Sequence, residues 1–145
     1  MILVFGKTGQ IAKELQLFEN IIALGRDQAD LSNPKCCLRA ILNQKPEAVI
    51  NVAAYTNVDQ AEEDEALATI INSDAPTAMA KACNKLNIPL IHISTDYVFD
   101  GRGDLPWKEQ DITLPQNAYG RTKLAGEIGI RTSGATHAII RTSWV

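Results

Sequence analysis

Three cysteines in 145 residues, two of them adjacent at Cys36 and Cys37 and the third at Cys83, give neither a disulfide framework nor the paired spacing of a zinc site. Cys83 falls inside an apolar helical pattern and reads as a small buried hydrophobe. Charge of one sign is equally scarce. Fourteen Lys and Arg stand against seventeen Asp and Glu, a net charge of -3 with no long run of either sign, so the basic footprint of a nucleic-acid binder is missing. No apolar run approaches the ~20 residues that span a bilayer, and Met1 leads straight into a strand-like run instead of a signal peptide. Repeats, low-complexity tracts and linkers are also lacking. What remains is a cytoplasmic single domain, long enough to bury a core, with no nucleic-acid or membrane partner expected.

What is present alternates. Ile2-Leu3-Val4-Phe5 is wholly apolar, as in a strand covered on both faces, and Gly6-Lys7-Thr8-Gly9-Gln10-Ile11-Ala12 follows at once. This G-x-x-G-x-x-A turn brings backbone close to a ligand, and the amides opening the next helix, about Gly9 to Phe18, can face a pyrophosphate. Lys7 does not make it a P-loop, because Gly-Lys-Thr starts the turn here instead of closing a longer one. Asn20 to Leu24 reads as a second strand, followed by Gly25-Arg26. An arginine there meets the 2'-phosphate of NADP, though it can equally be a solvated side chain.

Ala29 to Ser32 reads as a short third strand in which Asp30 can equally be a turn residue, and Asn33-Pro34 opens a helix to about Asn43. Ala48 to Ala54 is the fourth strand; small Ala54 lets a cofactor approach, with Tyr55 and Thr56 at the carboxyl end where open parallel sheets bind ligands. Asp59, Glu62, Glu63 and Asp64 read as a solvated helix start, not a metal cluster. A helical pattern runs from Glu65 to Leu86, kinked or restarted at Pro76. Pro89 to Ile93 is the fifth strand, with His92 read as a core or rim residue, and Ala138 to Val145 is the sixth. The expected fold is a doubly wound α/β parallel sheet, Rossmann-like, in the order 3-2-1-4-5-6.

Chemistry concentrates between His92 and Lys123. Tyr119 and Lys123 are four apart, so on a helix after Pro115 they share one face. Free tyrosine has a pKa of about 10, and a neighbouring ammonium is expected to lower it toward the range useful for proton exchange with a carbonyl or alcohol oxygen. Thr95, at the end of an apolar strand, offers a second hydroxyl for that oxygen. Such a trio predicts carbonyl reduction or its reverse. The glycine-bearing, charged loop from Phe99 to Asp104 is of a kind that covers a substrate.

The segments Phe5-Gly6-Lys7-Thr8-Gly9-Gln10, Val52 to Glu62, Ser94 to Phe99, Tyr119 to Glu127 and Arg141-Thr142-Ser143-Trp144-Val145 together resemble the extended short-chain dehydrogenase/reductases, in particular the branch that makes dTDP-L-rhamnose for surface polysaccharide such as lipopolysaccharide O-antigen. The resemblance implies hydride transfer from NADPH or NADH to the C4 ketone of dTDP-4-dehydro-L-rhamnose. It assigns Tyr119, Lys123 and Thr95 to catalysis, and Asp96 and Trp144, with Thr95, to the sugar. Gly9, Gln10 and Ile11 would meet the pyrophosphate, Asp30 and Leu31 the adenine side, and Ala54, Tyr55, Thr56 and Ile93 the path to the nicotinamide. It also implies, for some members, a homodimer joined by Mg2+ on glutamates, Glu14 matching one position. Residues 1–145 would be the dinucleotide-binding domain, with the C-terminal substrate-binding region of full-length relatives absent. Other readings stay open: an epimerase or dehydratase of nucleotide sugars, or a non-catalytic NADP-binding regulatory subunit. The Thr95 to Phe99 run favours the reductase, and retention of Tyr119 and Lys123 argues against the subunit.

Overall fold

The computed structural model describes residues 1–143. Five parallel strands form one sheet in the order β2-β1-β3-β4-β5: β1 Ile2–Phe5, β2 Ile21–Leu24, β3 Ala48–Asn51, β4 Leu90–Thr95 and β5 His137–Thr142. Leu3, Val4 and Phe5 are fully buried, as a strand with neighbours on both sides and cover on both faces requires. Among the described residues six α-helices accompany the strands: α1 Gln10–Leu15, α2 Pro34–Gln44, α3 Val58–Glu63, α4 Glu65–Thr69, α5 Ala75–Leu86 and α6 Ala118–Arg131. None is long and apolar enough to cross a membrane. Because β2 and β3 lie on opposite sides of β1, a crevice opens past the carboxyl ends of β1 and β3, the place where such sheets take ligands.

The doubly wound class is as expected, and one strand is not. Ala29 and Leu31 are buried, but the segment makes turns: Asp30 accepts the Ser32 N–H on Oδ1 at 2.8 Å, and its carbonyl accepts the Asn33 N–H. With Pro34 opening α2 immediately afterwards, no length is left for a ladder. Removing that strand from the expected order leaves the observed one. Strand β3 also ends at Asn51, three residues early, because the Asn51 side chain accepts the Ala53 N–H and turns the chain out of the sheet. Helix α1 stops at Leu15 instead of Phe18; Leu17 and Phe18 sit in tight turns, exposed, with no face to bury. At the other end β5 stops at Thr142, and Trp144 and Val145 lie outside the described residues.

The restart expected at Pro76 is a π-turn, Ile70–Asp74, between α4 and α5. Pro76 has no N–H for the Asn72 carbonyl four residues earlier, so the ladder must slip there. Gly126 of α6 packs against that carbonyl, where any Cβ would overlap it. Helix α6 thereby comes close to α5 and is held over β4, with which it shares the chemistry.

Candidate active site

The turn after β1 is built for close approach. Gly6 has φ +104°, a region that side chains avoid, and a Cβ there would press on Val52 and Ala53. Gly9 is different: its backbone is extended, and nothing lies within 4 Å of where its Cβ would be. Its bare face looks onto open space. The amides that start α1 precede its first turn-to-turn bond, Lys13 N–H to Gly9 O, so they have no partner within the helix. With only six residues, α1 adds little dipole; the unpartnered turn amides are the stronger candidates to meet an anion.

Two hollows flank Gly9, Val52, Ala54 and Thr56 and share them as lining, so they form one continuous groove. The first, about 530 Å³, holds Gly6, Arg26, Asp30, Leu31 and Tyr55. The second, about 640 Å³, holds Gln10, Ile11, Ile93, Thr95, Asp96, Tyr119 and Lys123. Every expected site residue among those described lines this groove except Glu14. Glu14 stands exposed on α1, and among the described residues no group of three or more His, Cys, Asp or Glu side chains is placed to hold a metal, so the expected magnesium finds no support. Trp144, expected to touch the sugar, lies outside the described residues.

The helix expected after Pro115 is α6, capped by Asn117, whose side chain accepts the Gly120 N–H at 2.7 Å. It carries Tyr119 and Lys123 on one face into the groove. Their electrostatics differ from expectation. Burial pushes the Tyr119 phenol up, against the pull of the Thr95 hydroxyl and with Asp96 and Tyr97 adding to the rise. The Lys123 ammonium is not among the groups that pull it down; Nζ donates to the Ile93 carbonyl at 2.6 Å and lies 3.4 Å from Nε2 of His92. Burial brings Lys123 itself down to about 8, with Glu127 opposing. Asp30, given to the adenine side, is held below the usual carboxylate range chiefly by the Ser32 N–H.

Four residues hold the site in place: Asn51, Asn72 and Glu127 escaped the sequence reading, and His92, expected in the core or at its rim, is fully buried. Asn72 accepts the Tyr55 N–H at 2.8 Å and donates to the Tyr55 carbonyl and to Oγ1 of Thr122, tying the loop after β3 to α6. Glu127, fully buried, accepts from Ser94 of β4, Arg131 of α6 and Arg141 of β5, clamping three elements around Lys123. Asn51 and His92 face each other across β3 and β4. Polar residues inside strands and helices were the available signal, but apart from Arg131, on the same helix as Glu127, and the Ala53 N–H beside Asn51, their partners are 14 to 50 positions away in the chain.

The RmlD substrate binding domain family matches residues 1–145. The chain is 45% identical to the dTDP-4-dehydrorhamnose reductase of Salmonella typhimurium, over 99% of the chain and 51% of that protein. The crystal structure of a dTDP-4-dehydrorhamnose reductase from Clostridium acetobutylicum superposes with a TM-score of 0.93 at 38% identity, covering 99% of this chain and 53% of that one. That of the Bacillus anthracis dTDP-4-dehydrorhamnose reductase, in complex with NADP, also gives 0.93, at 34% identity with the same coverage. The chain thus spans about half the length of the relatives it matches. Its full extent lies within the family match, and it belongs to the RmlD substrate binding domain family, that of the dTDP-4-dehydrorhamnose reductases.

Proposed function

We propose that residues 1–145 are the dinucleotide-binding part of an NADPH-using dTDP-4-dehydrorhamnose reductase and carry its proton-donating groups. One observation supports this above the others: the Gly6–Gly9 turn and the Thr95, Tyr119, Lys123 trio line a single groove. The residues fit a dinucleotide. Turn amides without helical partners would hold the pyrophosphate, the open side of Gly9 would admit it, and Arg26, lining the same hollow, would meet a 2'-phosphate. Bound there, a reduced nicotinamide supplies the hydride.

Tyr119 then acts as the acid. Its raised pKa keeps the phenol protonated at neutral pH, which suits the reduction direction, where the developing alkoxide at C4 needs a proton. Thr95 polarises the same ketone oxygen from the end of β4, and Asp96 orients the sugar beside it. Lys123 holds the nicotinamide ribose. The relatives matched are about twice as long, and the 1–145 polypeptide is expected to turn over the sugar weakly or not at all, since positioning supplies much of the rate.

A cofactor-fluorescence titration of this polypeptide tests the reading. NADPH is expected to bind at least as well as NADH, and Arg26→Ala to remove the NADPH preference. An unchanged preference in the variant would detach NADP from Arg26, and no binding of either nucleotide would end the proposal.

A further inference from the structure

Asn51 closes β3, and its amide orientation is fixed by what it touches. Oδ1 accepts the Ala53 N–H at 3.2 Å, which leaves Nδ2 facing Nδ1 of His92 at 3.1 Å. An amide nitrogen only donates, so Nδ1 must accept, and a neutral imidazole then carries its proton on Nε2. That N–H points at Nζ of Lys123, 3.4 Å away, with His92 fully buried and Lys123 2% exposed. An ammonium has three donors and no acceptor, whereas an amine has a lone pair. Opposite an N–H, only the amine makes a hydrogen bond.

We propose that Asn51 and His92 are a pair of positioning residues which lock an imidazole N–H against Lys123, so that Lys123 gives up its proton more easily than burial alone would make it. The proposal rests on the reading of Lys123 as part of a reductase site. When Lys123 gives up its proton to water entering the groove, its N–H bond breaks, the water takes the proton, and the amine left behind accepts the waiting Nε2–H.

The charged and titratable surroundings agree. Tyr119 shares α6 with Lys123, and Asp96 and Tyr97, on the turn after β4, line the same hollow. Glu127, one turn further along α6, is the acid that opposes proton loss from Lys123, and its carboxylate is already engaged by Ser94, Arg131 and Arg141. His92 is held well below 6.5, first by burial and then by Lys123, so the imidazole is neutral and its tautomer is well defined.

Two-bond proton–nitrogen NMR of histidine-labelled protein reads the tautomer directly, and the chain has only two histidines, separated by assigning His137→Gln. At pH 7 the His92 proton is expected on Nε2; a proton on Nδ1 would overturn the proposal, whatever the variants do. Asn51→Leu removes the donor without adding charge, and Asn51→Asp replaces it with an acceptor. In both, the proton is expected to move to Nδ1 and the Lys123 midpoint, followed through labelled lysine Cε, to rise by about one pH unit, a tenfold gain in proton affinity. A switched tautomer with an unmoved Lys123 midpoint would also contradict it. If instead NADPH fails to bind while the Nε2 tautomer is found, the cofactor reading fails and the lock stands.

Discussion

Gly6 and Gly9 sit three positions apart in one turn and do different work. Gly6 is needed by the fold, because its φ of +104° and the nearness of Val52 leave no room for a side chain. Gly6→Ala is expected to cost about 1 to 3 kcal/mol in urea unfolding. Gly9 has open space before it and an ordinary backbone, so Gly9→Ala should leave stability within about 0.5 kcal/mol while weakening NADPH by roughly tenfold or more, since the methyl group occupies ligand space. Equal effects on stability would show that the turn has been misread. At this scale the sequence was informative where residue type and local spacing decide, as for the two glycines, Thr95, Tyr119 and Lys123. It was uninformative for Asn51, Asn72 and Glu127, and it placed His92 in the core or at its rim without its partners. A buried polar residue looks like a rim residue until its partner is known, and theirs come from other elements.

The arrangement of elements was largely legible, since apolar runs, glycine turns and Pro34 are local signals. The third strand failed because an apolar pair flanking an aspartate cannot reveal that the aspartate will cap its own turn. The π-turn before Pro76 was legible only as a break, not as the contact it creates. That contact is open to test. Gly126→Ala drives a methyl group into the Asn72 carbonyl, which Pro76 leaves without its helical donor and which sits on rigid backbone. The variant is expected to lose about 3 kcal/mol in urea unfolding, at the upper end for overpacking, and to bind NADPH more weakly because Asn72 also fixes Tyr55. Full stability would mean that α6 can slide along α5, and that the site does not depend on their close packing.

For the whole molecule, the buried polar groups set a pH profile. His92 in the native fold is held well below 6.5, so below that pH the unfolded chain takes up a proton that the native chain refuses, and stability falls as pH falls. As pH falls below 6.5 this single group lowers stability progressively, because the unfolded chain protonates and the native one does not. Glu127 and Asp30 add to the loss only nearer the carboxylate range, because their native pKa values are lowered and the stability they contribute disappears as pH drops through them. Urea unfolding at pH 7 and pH 5 should show the drop in the wild type and a much smaller one in His92→Gln. An equal drop in both would assign acid sensitivity elsewhere. The sheet, the groove and this profile share one centre, the place where Asn51 of β3, His92 of β4 and Lys123 of α6 meet. A crystal structure of the polypeptide with NADPH is the most direct measurement of that centre's role. The account predicts the pyrophosphate on the Gly6–Gln10 amides and the reactive nicotinamide carbon beside the Tyr119 hydroxyl; a nucleotide bound elsewhere, or a ring turned away from Tyr119, would contradict it.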